Sequence, residues 1–306
     1  MEHDSGAPRL LGVLVTHRRP AELATMLEVL AAQDRPLDRL VVVDNAPSDA
    51  SRRLVASLAP DAEYVAAPEN LGPAGGIAVG MGRLLDGADD DDWIATLDDD
   101  DPPGSSTLGA LLEFGVAQRA IDPHTGAVGV AGIRLDRRRG RYLRVPEAEL
   151  RGPVAVDSIG GNKWPVYSVA AIRAVGVFRP DLFFGHEELE FGLRLGAGGW
   201  TLYASGPLWA DLRRSEAVEG AEISPSFAVP PADWRRYYSL RNLVRVLVDH
   251  GATTGAVYVS VVAGVAKPVA NLAVRPGLAW SNLRQNVRAL RDAWTGRLGR
   301  TVEPVP

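Results

Sequence analysis

Short apolar runs alternate with helix-like segments over the first 135 residues, and this alternation constrains the fold more than any other feature. The runs Leu10–Thr16 and Arg39–Asp44 predict buried strands, and residues 20–32 between them predict a helix with proline in its first turn. Further strands are predicted at 62–66, 93–97 and 128–133, with helices at 48–58, 74–86 and 105–119. Strand–helix alternation at this spacing predicts right-handed crossovers and a mostly parallel sheet.

Polar residues stand at the carboxyl ends of three of these predicted strands. Thr16 ends the first strand, Asp44 ends the second, and Asp98 follows the fourth. Ligands of an open parallel sheet bind beyond the carboxyl ends of its strands. We therefore expect these three side chains to face a binding site.

The fourth strand runs directly into four aspartates at 98–101. Side chains alternate along an extended chain, so Asp98 and Asp100 are predicted on one side and Asp99 on the other. Packing like charges costs free energy unless a cation is present, and carboxylates suit Mg2+ or Mn2+, which also bind substrate phosphates. We interpret the run as a metal–diphosphate site with Asp98 and Asp100 as metal ligands. A solvated acidic turn is the alternative, and it fits residues 89–92, which precede the strand.

A glycine-rich segment, Asn70-Leu71-Gly72-Pro73-Ala74-Gly75-Gly76, precedes the third predicted helix. Glycines allow close approach of the backbone, and free N–H groups at a helix start favour anions. The segment is not the G-x-G-x-x-G dinucleotide pattern, and it follows the third strand rather than the first. At the second strand, the carboxylate of Asp44 can accept a hydrogen bond from a pyrimidine base, with a turn-forming Asp44-Asn45 pair as the alternative.

These motifs occur in an order that resembles the family-2 glycosyltransferases. They are found at 15–19, 43–45, 70–76, 97–100 and 186–194, followed by Tyr237-Tyr238-Ser239-Leu240-Arg241-Asn242. Over residues 10–245 the chain is similar to the bacterial branch of galactofuranosyltransferases and rhamnosyltransferases. The resemblance implies the GT-A (nucleotide-diphospho-sugar transferase) fold, an α/β architecture with a mostly parallel sheet flanked by helices and a C-terminal helical extension.

The resemblance also implies a donor site. Thr16 and Asp44 would line the nucleoside pocket, and Asn70 and Gly72 would contact the donor. The residues Asp98, Asp99 and Asp100 match the D-x-D element that holds the metal and the diphosphate.

Glu188 matches the general base of the family, although that base is usually aspartate and Glu188 is one methylene longer. Where the family often has a histidine metal ligand this chain has Ala210, and Asp211 beside it is the candidate third ligand. Support of the base or of the acceptor is expected from Glu187, Trp164, Arg194 and Trp209.

The resemblance implies an inverting transferase that moves galactofuranose or rhamnose from a UDP- or dTDP-sugar to a hydroxyl of a glycan or lipid-linked acceptor, in cell-wall polysaccharide synthesis. A carboxylate takes the acceptor's proton, and the metal stabilises charge on the leaving diphosphate. Two alternatives stay open. A nucleotidyltransferase would carry a glycine-rich loop near the N-terminus, which 16–20 lacks, and a catalytically inactive protein on the same fold would bind nucleotide sugar without releasing diphosphate.

The C-terminal part is basic, with eleven basic and two acidic residues between 234 and 300, a net charge of +9, although the whole chain carries −5. The apolar segment 252–266 has fifteen residues and falls short of the roughly 20 that a spanning helix needs. Residues 280–297 place apolar side chains on one side and arginines on the other, which is typical of a helix in a membrane interface. We predict an anionic membrane partner, with packing on the catalytic domain as the alternative. Nucleic acid is not expected because the body is acidic and no readout motif is present.

The predicted organisation is a catalytic domain at 1–232, with a nucleotide-binding half at 1–135 and an acceptor half at 136–232, and a basic helical tail at 233–306. Residues 134–156 are expected to form a hairpin or loop over the site, and 211–231 a loop because of its prolines. The absence of cysteine excludes disulfides and thiolate metal sites. We expect a cytoplasmic protein, peripheral on the inner face of the plasma membrane. Homo-oligomerisation is left open.

Overall fold

The computed structural model describes residues 7–218 and 233–304 of the protein, and ten strands lie within these ranges. In chain order the strands are β1 (Leu10–Thr16), β2 (Arg39–Asp44), β3 (Glu63–Ala66), β4 (Trp93–Asp98), β5 (Thr125–Gly129), β6 (Arg134–Asp136), β7 (Arg141–Leu143), β8 (Pro153–Val156), β9 (Val166–Ser168) and β10 (Thr201–Ser205). Strands β6 and β7 form a separate hairpin, and the others form one sheet in the order β3-β2-β1-β4-β9-β5-β10-β8.

The sheet is mostly parallel, as predicted. Strand β1 pairs in parallel with β2 and β4, β2 with β3, and β5 with β10. The exceptions are β9, which lies antiparallel between β4 and β5, and β8, which runs antiparallel along β10 at the edge. The register places Thr16 beside Asp44 and Val15 beside Asp98, so the polar strand ends are neighbours at one edge.

Helices cover both faces of the sheet. Up to residue 218 they are α1 (Pro20–Ala31), α2 (Asp49–Leu58), α3 (Gly72–Leu85), α4 (Thr107–Ile121), α5 (Val169–Val175), α6 (Glu187–Ala197) and α7 (Gly206–Val218). The strand side chains alternate between two cores, because Val41 and Val43 of β2 join the core under α3 and α6, whereas Val42 joins the core under α1 and α4. Burial on both faces explains the continuous apolar run of this strand.

Two glycines of α3 bring this helix close to β1. A Cβ atom on Gly80 would lie 2.4 Å from Cγ1 of Val13, and one on Gly76 would lie 2.8 Å from Cγ1 of Val15. The two glycines are four residues apart and therefore share one face of the helix. This close packing fixes the amino-terminal end of α3 against the edge of the sheet where β1 ends.

Two sequence-based boundaries were wrong. The fifth strand, predicted at 128–133, is Thr125–Gly129, because its ladder partner β10 ends at Ser205 and the apolar run continues beyond the paired residues. The predicted loop at 211–231 begins inside helix α7, which extends to Val218, and the remainder lies outside the described residues. Leu208 and Leu212 recur at helical spacing and pack on the core, and the proline near the start of α7 lies in the first turn, where it is tolerated.

The C-terminal part is helical throughout most of its described length. It contains α8 (Trp234–Asp249), α9 (Thr253–Val259), a π-helical segment (Ser260–Ala266), α10 (Lys267–Ala270), a short 3-10 turn (Asn271–Ala273) and α11 (Pro276–Trp294). The segments from 253 to 273 form one helix of 21 residues, which contains an 18-residue window with a mean hydropathy of 1.5, and 22% of that window is buried. The prediction that the apolar segment stops at 266 was therefore wrong. Within the described ranges this one helix has the length and composition to cross a membrane.

The helix continues through Pro268 because a side chain from α11 replaces the hydrogen bond that proline cannot make. Pro268 has no N–H to donate to the carbonyl of Gly264 one turn earlier. Nδ2 of Asn286 donates to that carbonyl at 2.8 Å and to the carbonyl of Ala263 at 3.3 Å. Asn286 is 1% exposed, so these bonds form in the interior, where an unpaired carbonyl is costly.

We expect Asn286→Ala to lower the free energy of unfolding by about 1–3 kcal/mol, since it leaves a buried carbonyl without a donor. In a Pro268→Ala background the loss should be smaller by about 1 kcal/mol, because the restored backbone N–H can reach the same carbonyl. Urea unfolding of the four proteins of this double-mutant cycle measures the difference. Equal losses in both backgrounds would show that Asn286 does not compensate for the proline.

Candidate active site

A cavity of about 710 Å³ opens where β1 and β4 end. Most of the polar residues that the sequence analysis identified line this cavity, and several residues that it did not identify line it as well. The polar and glycine residues of its wall are Thr16, His17, Arg18, Arg19, Asn45, Asn70, Gly72, Asp98, Asp99, Asp100, Gly185, Glu187, Glu188 and Arg235.

The acidic run turns as soon as β4 ends. Because Asp98 is the last residue of the strand, the alternation expected of an extended chain stops there. Asp99 accepts a hydrogen bond from Oγ1 of Thr16 at 2.6 Å, and Nη1 of Arg19 lies 3.2 Å from its other oxygen. Arg19 also pairs with Asp100, so Asp99 and Asp100 share one guanidinium instead of facing apart as predicted.

Asp98 faces α6, the helix that carries the candidate base Glu188, rather than Arg19. A Cβ atom on Gly161 would lie 2.9 Å from Oδ2 of Asp98 and 2.9 Å from Oε1 of Glu188, so both carboxylates approach the same glycine. The backbone N–H of Gly161 donates to Oε1 of Glu188 at 3.0 Å. Burial, then the charges of Glu188 and of the neighbouring aspartates, raise the pKa of Asp98 to about 7. Burial also raises the pKa of Glu188.

The three glutamates that begin α6 have different environments. Glu187 is buried, and burial together with the charge of Glu188 raises its pKa well above the ordinary value. Glu190 lies in a bidentate ion pair with Arg194, at 3.0 Å for both bonds. Although burial acts to raise the pKa of Glu190, hydrogen bonds from His250 and Arg194 hold it below the ordinary value. Among these acids Glu187 and Glu188 line the cavity.

Arg194 has a structural role in this arrangement. Besides the ion pair, its guanidinium donates to the carbonyls of Val175 and Val177 at 2.6 and 2.8 Å. It therefore fastens α6 to the segment that follows α5, and it does not line the cavity.

Asp44 is held away from the cavity, and its neighbour Asn45 lines it instead. Asp44 is fully buried and accepts hydrogen bonds from the hydroxyl of Tyr64 at 2.8 Å and from the backbone N–H of Ala46 at 2.9 Å. Nδ2 of Asn45 donates to the carbonyl of Gly72 at 3.0 Å. Sequence reasoning missed Asn45, and the available signal was its place directly after the strand.

Gly72 is required by its backbone as well as by its neighbours. It has φ of 69°, and a Cβ atom there would lie 2.0 Å from the carbonyl oxygen of Phe183. The start of α3 therefore packs directly on the segment that precedes α6. Asn70 supports this turn, because its Oδ1 accepts from the N–H of Gly72 at 2.9 Å.

Three other predicted residues do not line the cavity. Asp211 lies on α7, is largely exposed and pairs with Arg214 one turn later. Trp209 is buried in the core. Trp164 supports the acidic turn from outside, since its Nε1 donates to the carbonyl of Asp101 at 2.9 Å. Within residues 7–218 and 233–304 no group of three or more acidic or histidine side chains is arranged to hold a metal ion by itself.

The C-terminal helices contribute to the cavity, which the sequence did not indicate. Trp234 and Arg235 at the start of α8 and Pro304 near the end of the chain lie in its wall. The rings of Trp234 and Phe184 meet edge to face with centroids 4.8 Å apart. The periodicity of α8 predicts a helix with one apolar face, but it does not identify the surface that this face covers.

Residues 13–151 match the family described as glycosyl transferase family 2. Galactofuranosyltransferase GlfT1 of Mycobacterium tuberculosis is 34% identical over 198 residues, which cover 61% of this chain and 64% of that protein. GlfT1 of Mycolicibacterium smegmatis is 44% identical over 200 residues, covering 61% and 65%. The match thus spans slightly less than two thirds of the length of these relatives.

Two solved structures have a similar fold. Mannosyltransferase PcManGT from Pyrobaculum calidifontis, in complex with GDP-Man and Mn2+, has a TM-score of 0.50 at 18% identity and covers 96% of this chain and 89% of its own. GalNAc-T7 with UDP, GalNAc and Mn2+ has a TM-score of 0.61 at 12% identity, covering 96% and 58%. Together with the family match, these structures confirm the predicted GT-A fold.

The raised pKa of Asp98 makes a prediction about stability in the absence of metal. Between its ordinary pKa of 3.8 and about 7, folded protein keeps a proton on Asp98 that the unfolded chain has released, so the contribution of Asp98 to stability falls as pH rises. We expect Asp98→Asn to become more stable relative to the parent by about 1–3 kcal/mol between pH 5 and pH 8. Urea unfolding in EDTA at the two pH values measures this.

Asp92→Asn is the control for this measurement. Although burial opposes it, hydrogen bonds from Arg9 hold the pKa of Asp92 below its ordinary 3.8, so its contribution is constant between pH 5 and pH 8. If the difference in unfolding free energy between Asp98→Asn and the parent does not change with pH, the assignment of a raised pKa to Asp98 is contradicted.

Proposed function

We propose that this protein is an inverting glycosyltransferase that moves a sugar from a nucleotide-sugar donor to a hydroxyl of a glycan or lipid-linked acceptor, because residues 13–151 match the family described as glycosyl transferase family 2. The observation that carries the proposal is the approach of Asp98 and Glu188 to Gly161 in the cavity. A diphosphate-binding acid and a candidate base are thereby brought together at one point. The family domain argues against the nucleotidyltransferase alternative.

The donor site is assigned to the part of the cavity between β1 and α3. Thr16, Asn45 and Asn70 line this part, and the positive end of the α3 helix dipole favours the charge of a diphosphate. Asp44 acts on the donor indirectly, through the turn that carries Asn45. Of the predicted sugars, galactofuranose is favoured over rhamnose by the names of the two GlfT1 relatives, with UDP as the expected nucleotide.

Glu188 is assigned as the general base of a single in-line displacement. The N–H of Gly161 fixes one of its carboxylate oxygens, and we assign the other to the proton of the acceptor hydroxyl. Burial raises the pKa of Glu188, which makes its ionised form a stronger proton acceptor than an exposed carboxylate. The amino-terminal end of α6 favours that ionised form once the acceptor hydroxyl is present.

A divalent metal ion, Mg2+ or Mn2+, fits the charge of this cavity. Burial and four neighbouring acids raise the pKa of Asp98 to about 7. A nearby cation would stabilise the ionised carboxylate and lower this pKa. Asp98 and Asp100 would hold the ion, and water and the donor's phosphates would complete its shell, as is usual for these cations. When bound, the metal would neutralise charge on the leaving diphosphate. Arg19, which pairs with Asp99 and Asp100, supplies a second cation for the phosphates.

The proposal predicts that Glu188→Gln abolishes most turnover but keeps donor binding. Loss of a general base typically lowers the rate about 10²–10⁴-fold, and glutamine keeps the shape of the side chain. Release of UDP from UDP-galactofuranose in the presence of acceptor gives the turnover, and calorimetric titration of UDP into the protein with Mn2+ gives the binding. A variant that binds UDP normally and retains parental turnover would place the base elsewhere.

Two variants serve as controls in the same assays. Asp98→Asn should weaken the Mn2+-dependent part of UDP binding, which separates the metal role from the base role. Asp211→Asn, at the exposed carboxylate of α7, should leave both binding and turnover near the parental values. A parent protein that binds UDP but does not release UDP from UDP-galactofuranose would support the catalytically inactive alternative.

We also propose that the protein lies on an anionic membrane at the cytoplasmic face. Exposed apolar side chains recur at four-residue intervals along the helix 253–273, at Val257, Val261, Val265 and Val269. Val261 is 56% exposed, and the same C-terminal region carries the +9 excess of charge. An exposed apolar stripe within a basic region is typical of a segment that lies in a membrane interface. A lipid-linked acceptor would be presented at that surface.

This proposal predicts that the full-length protein sediments with vesicles containing phosphatidylglycerol, and less at high salt, because screening weakens the attraction of its basic residues. The double variant Val261→Glu and Val269→Glu should lose most of this binding. The control is Ile121→Glu, which changes an apolar residue of α4 that is more exposed than either valine. Equal loss in the control, or sedimentation independent of anionic lipid, would contradict the assignment of this stripe.

A further inference from the structure

The segment that leads into α6 has an unusual backbone. Phe183 and His186 have positive φ values of 64° and 65°, and Gly185 between them has φ of 81°. A positive φ costs free energy in residues other than glycine, and such residues persist only where their surroundings hold them. This segment immediately precedes Glu187 and Glu188, so its path sets the direction in which the first turn of α6 presents its carboxylates.

A buried side chain from the C-terminal part makes three contacts with this segment. Asn242 of α8 is fully buried, and its Nδ2 lies 2.9 Å from the carbonyl oxygen of Leu182, 2.9 Å from that of Phe184 and 2.8 Å from that of Gly185. One amide group thus binds three backbone carbonyls of the segment. Buried carbonyls without a donor would be costly, so these bonds favour the observed path.

Arg241 fixes the orientation of that amide. Nε of Arg241 donates to Oδ1 of Asn242 at 2.8 Å, so the amide nitrogen must face the segment. Nη2 of Arg241 donates to the carbonyl of Leu182 as well, and Nη1 donates to the carbonyl of Gly299, each at 2.8 Å. The guanidinium is itself fully buried, which makes this a satisfied polar network inside the protein.

The opposite side of the segment rests on the donor site. The carbonyl of Phe183 occupies the space that a side chain at Gly72 would need. The segment is therefore enclosed between the start of α3 and Asn242 of α8. A change at Asn242 can move the start of α6 relative to the donor without touching either ligand.

We propose that Asn242 is a positioning residue for Glu188, acting through the backbone of residues 182–186. This inference rests on the proposed function, in which Glu188 is the base. Asn242 does not line the cavity, so it contacts neither donor nor acceptor there. Its role is to hold Glu188 at the distance from the acceptor hydroxyl that proton transfer requires, since displacement of a reacting group by about 1 Å can cost about 10²-fold in rate.

The test compares two buried asparagines of the C-terminal part. Asn242→Ala is expected to lower kcat about 10–100-fold while the KM for the donor and the calorimetric Kd for UDP change less than about threefold. The control is Asn286→Ala, which also removes an amide bound to buried carbonyls but is far along the chain from the segment. It should lose comparable stability and keep kcat. Asn242→Asp keeps the size and the contact with Arg241 but cannot donate to the three carbonyls, and it should resemble Asn242→Ala.

A double-mutant cycle with Glu188→Gln identifies the route of the effect. If Asn242 acts through Glu188, Asn242→Ala should change the residual rate of Glu188→Gln little. Parental kcat in Asn242→Ala, equal kcat losses in Asn242→Ala and Asn286→Ala, or fully additive losses with Glu188→Gln would each overturn the inference. UDP binding shows which variants are folded, and Asn242→Asp decides the question if Asn242→Ala does not fold. An inactive parent would instead contradict the proposed function.

Discussion

The burial of two acidic groups beside one glycine is the constraint around which the cavity is arranged. Asp98 ends a buried strand, Glu188 lies in the first turn of α6, and both carboxylates approach Gly161. Burial, and after it the charges of Glu188 and the neighbouring aspartates, raise the pKa of Asp98 to about 7, which favours either a proton or a cation at this point. This is the charge environment in which we propose that the metal ion of the donor binds.

The surrounding polar residues divide into those that face the cavity and those that support it from behind. Thr16 and Arg19 hold the turned part of the acidic run, and Asn45 holds the start of α3. Behind them, Arg194 ties α6 to the backbone after α5. Thr16 and Arg19 bind carboxylates of the acidic run, whereas Asn45 and Arg194 bind backbone carbonyls and thereby fix the path of the chain.

The C-terminal helices belong to the same structural unit as the cavity. Helix α8 buries Arg241 and Asn242 against the segment before α6, and its first residues form part of the cavity wall. Farther along, Asn286 allows the apolar helix to pass through Pro268, which keeps its exposed valines in one stripe. The region that we propose to contact the membrane is thus connected by direct packing to the region that we propose to bind the acceptor.

Local sequence patterns were sufficient for most of the fold. β1 and β2 were predicted to the residue, because each is a short run of apolar side chains that ends at a polar residue. The edge of the sheet that carries the cavity was also predictable, since parallel strands end together there and the acids follow β4 directly. The patterns failed where a boundary depended on a partner, as at β5, α7 and the helix that crosses Pro268.

The sequence by itself determined a parallel sheet with carboxylates at its carboxyl edge, because periodicity and strand polarity are properties of neighbouring residues. Only the tertiary structure decided that Asn45 rather than Asp44 faces the cavity, and that Asp211 stays away from it. It alone decided that Gly161 meets Glu188 across 27 residues and that Asn242 meets Leu182 across 60. Such contacts depend on which buried group needs a hydrogen-bond partner after the chain has packed, and no local pattern contains that information.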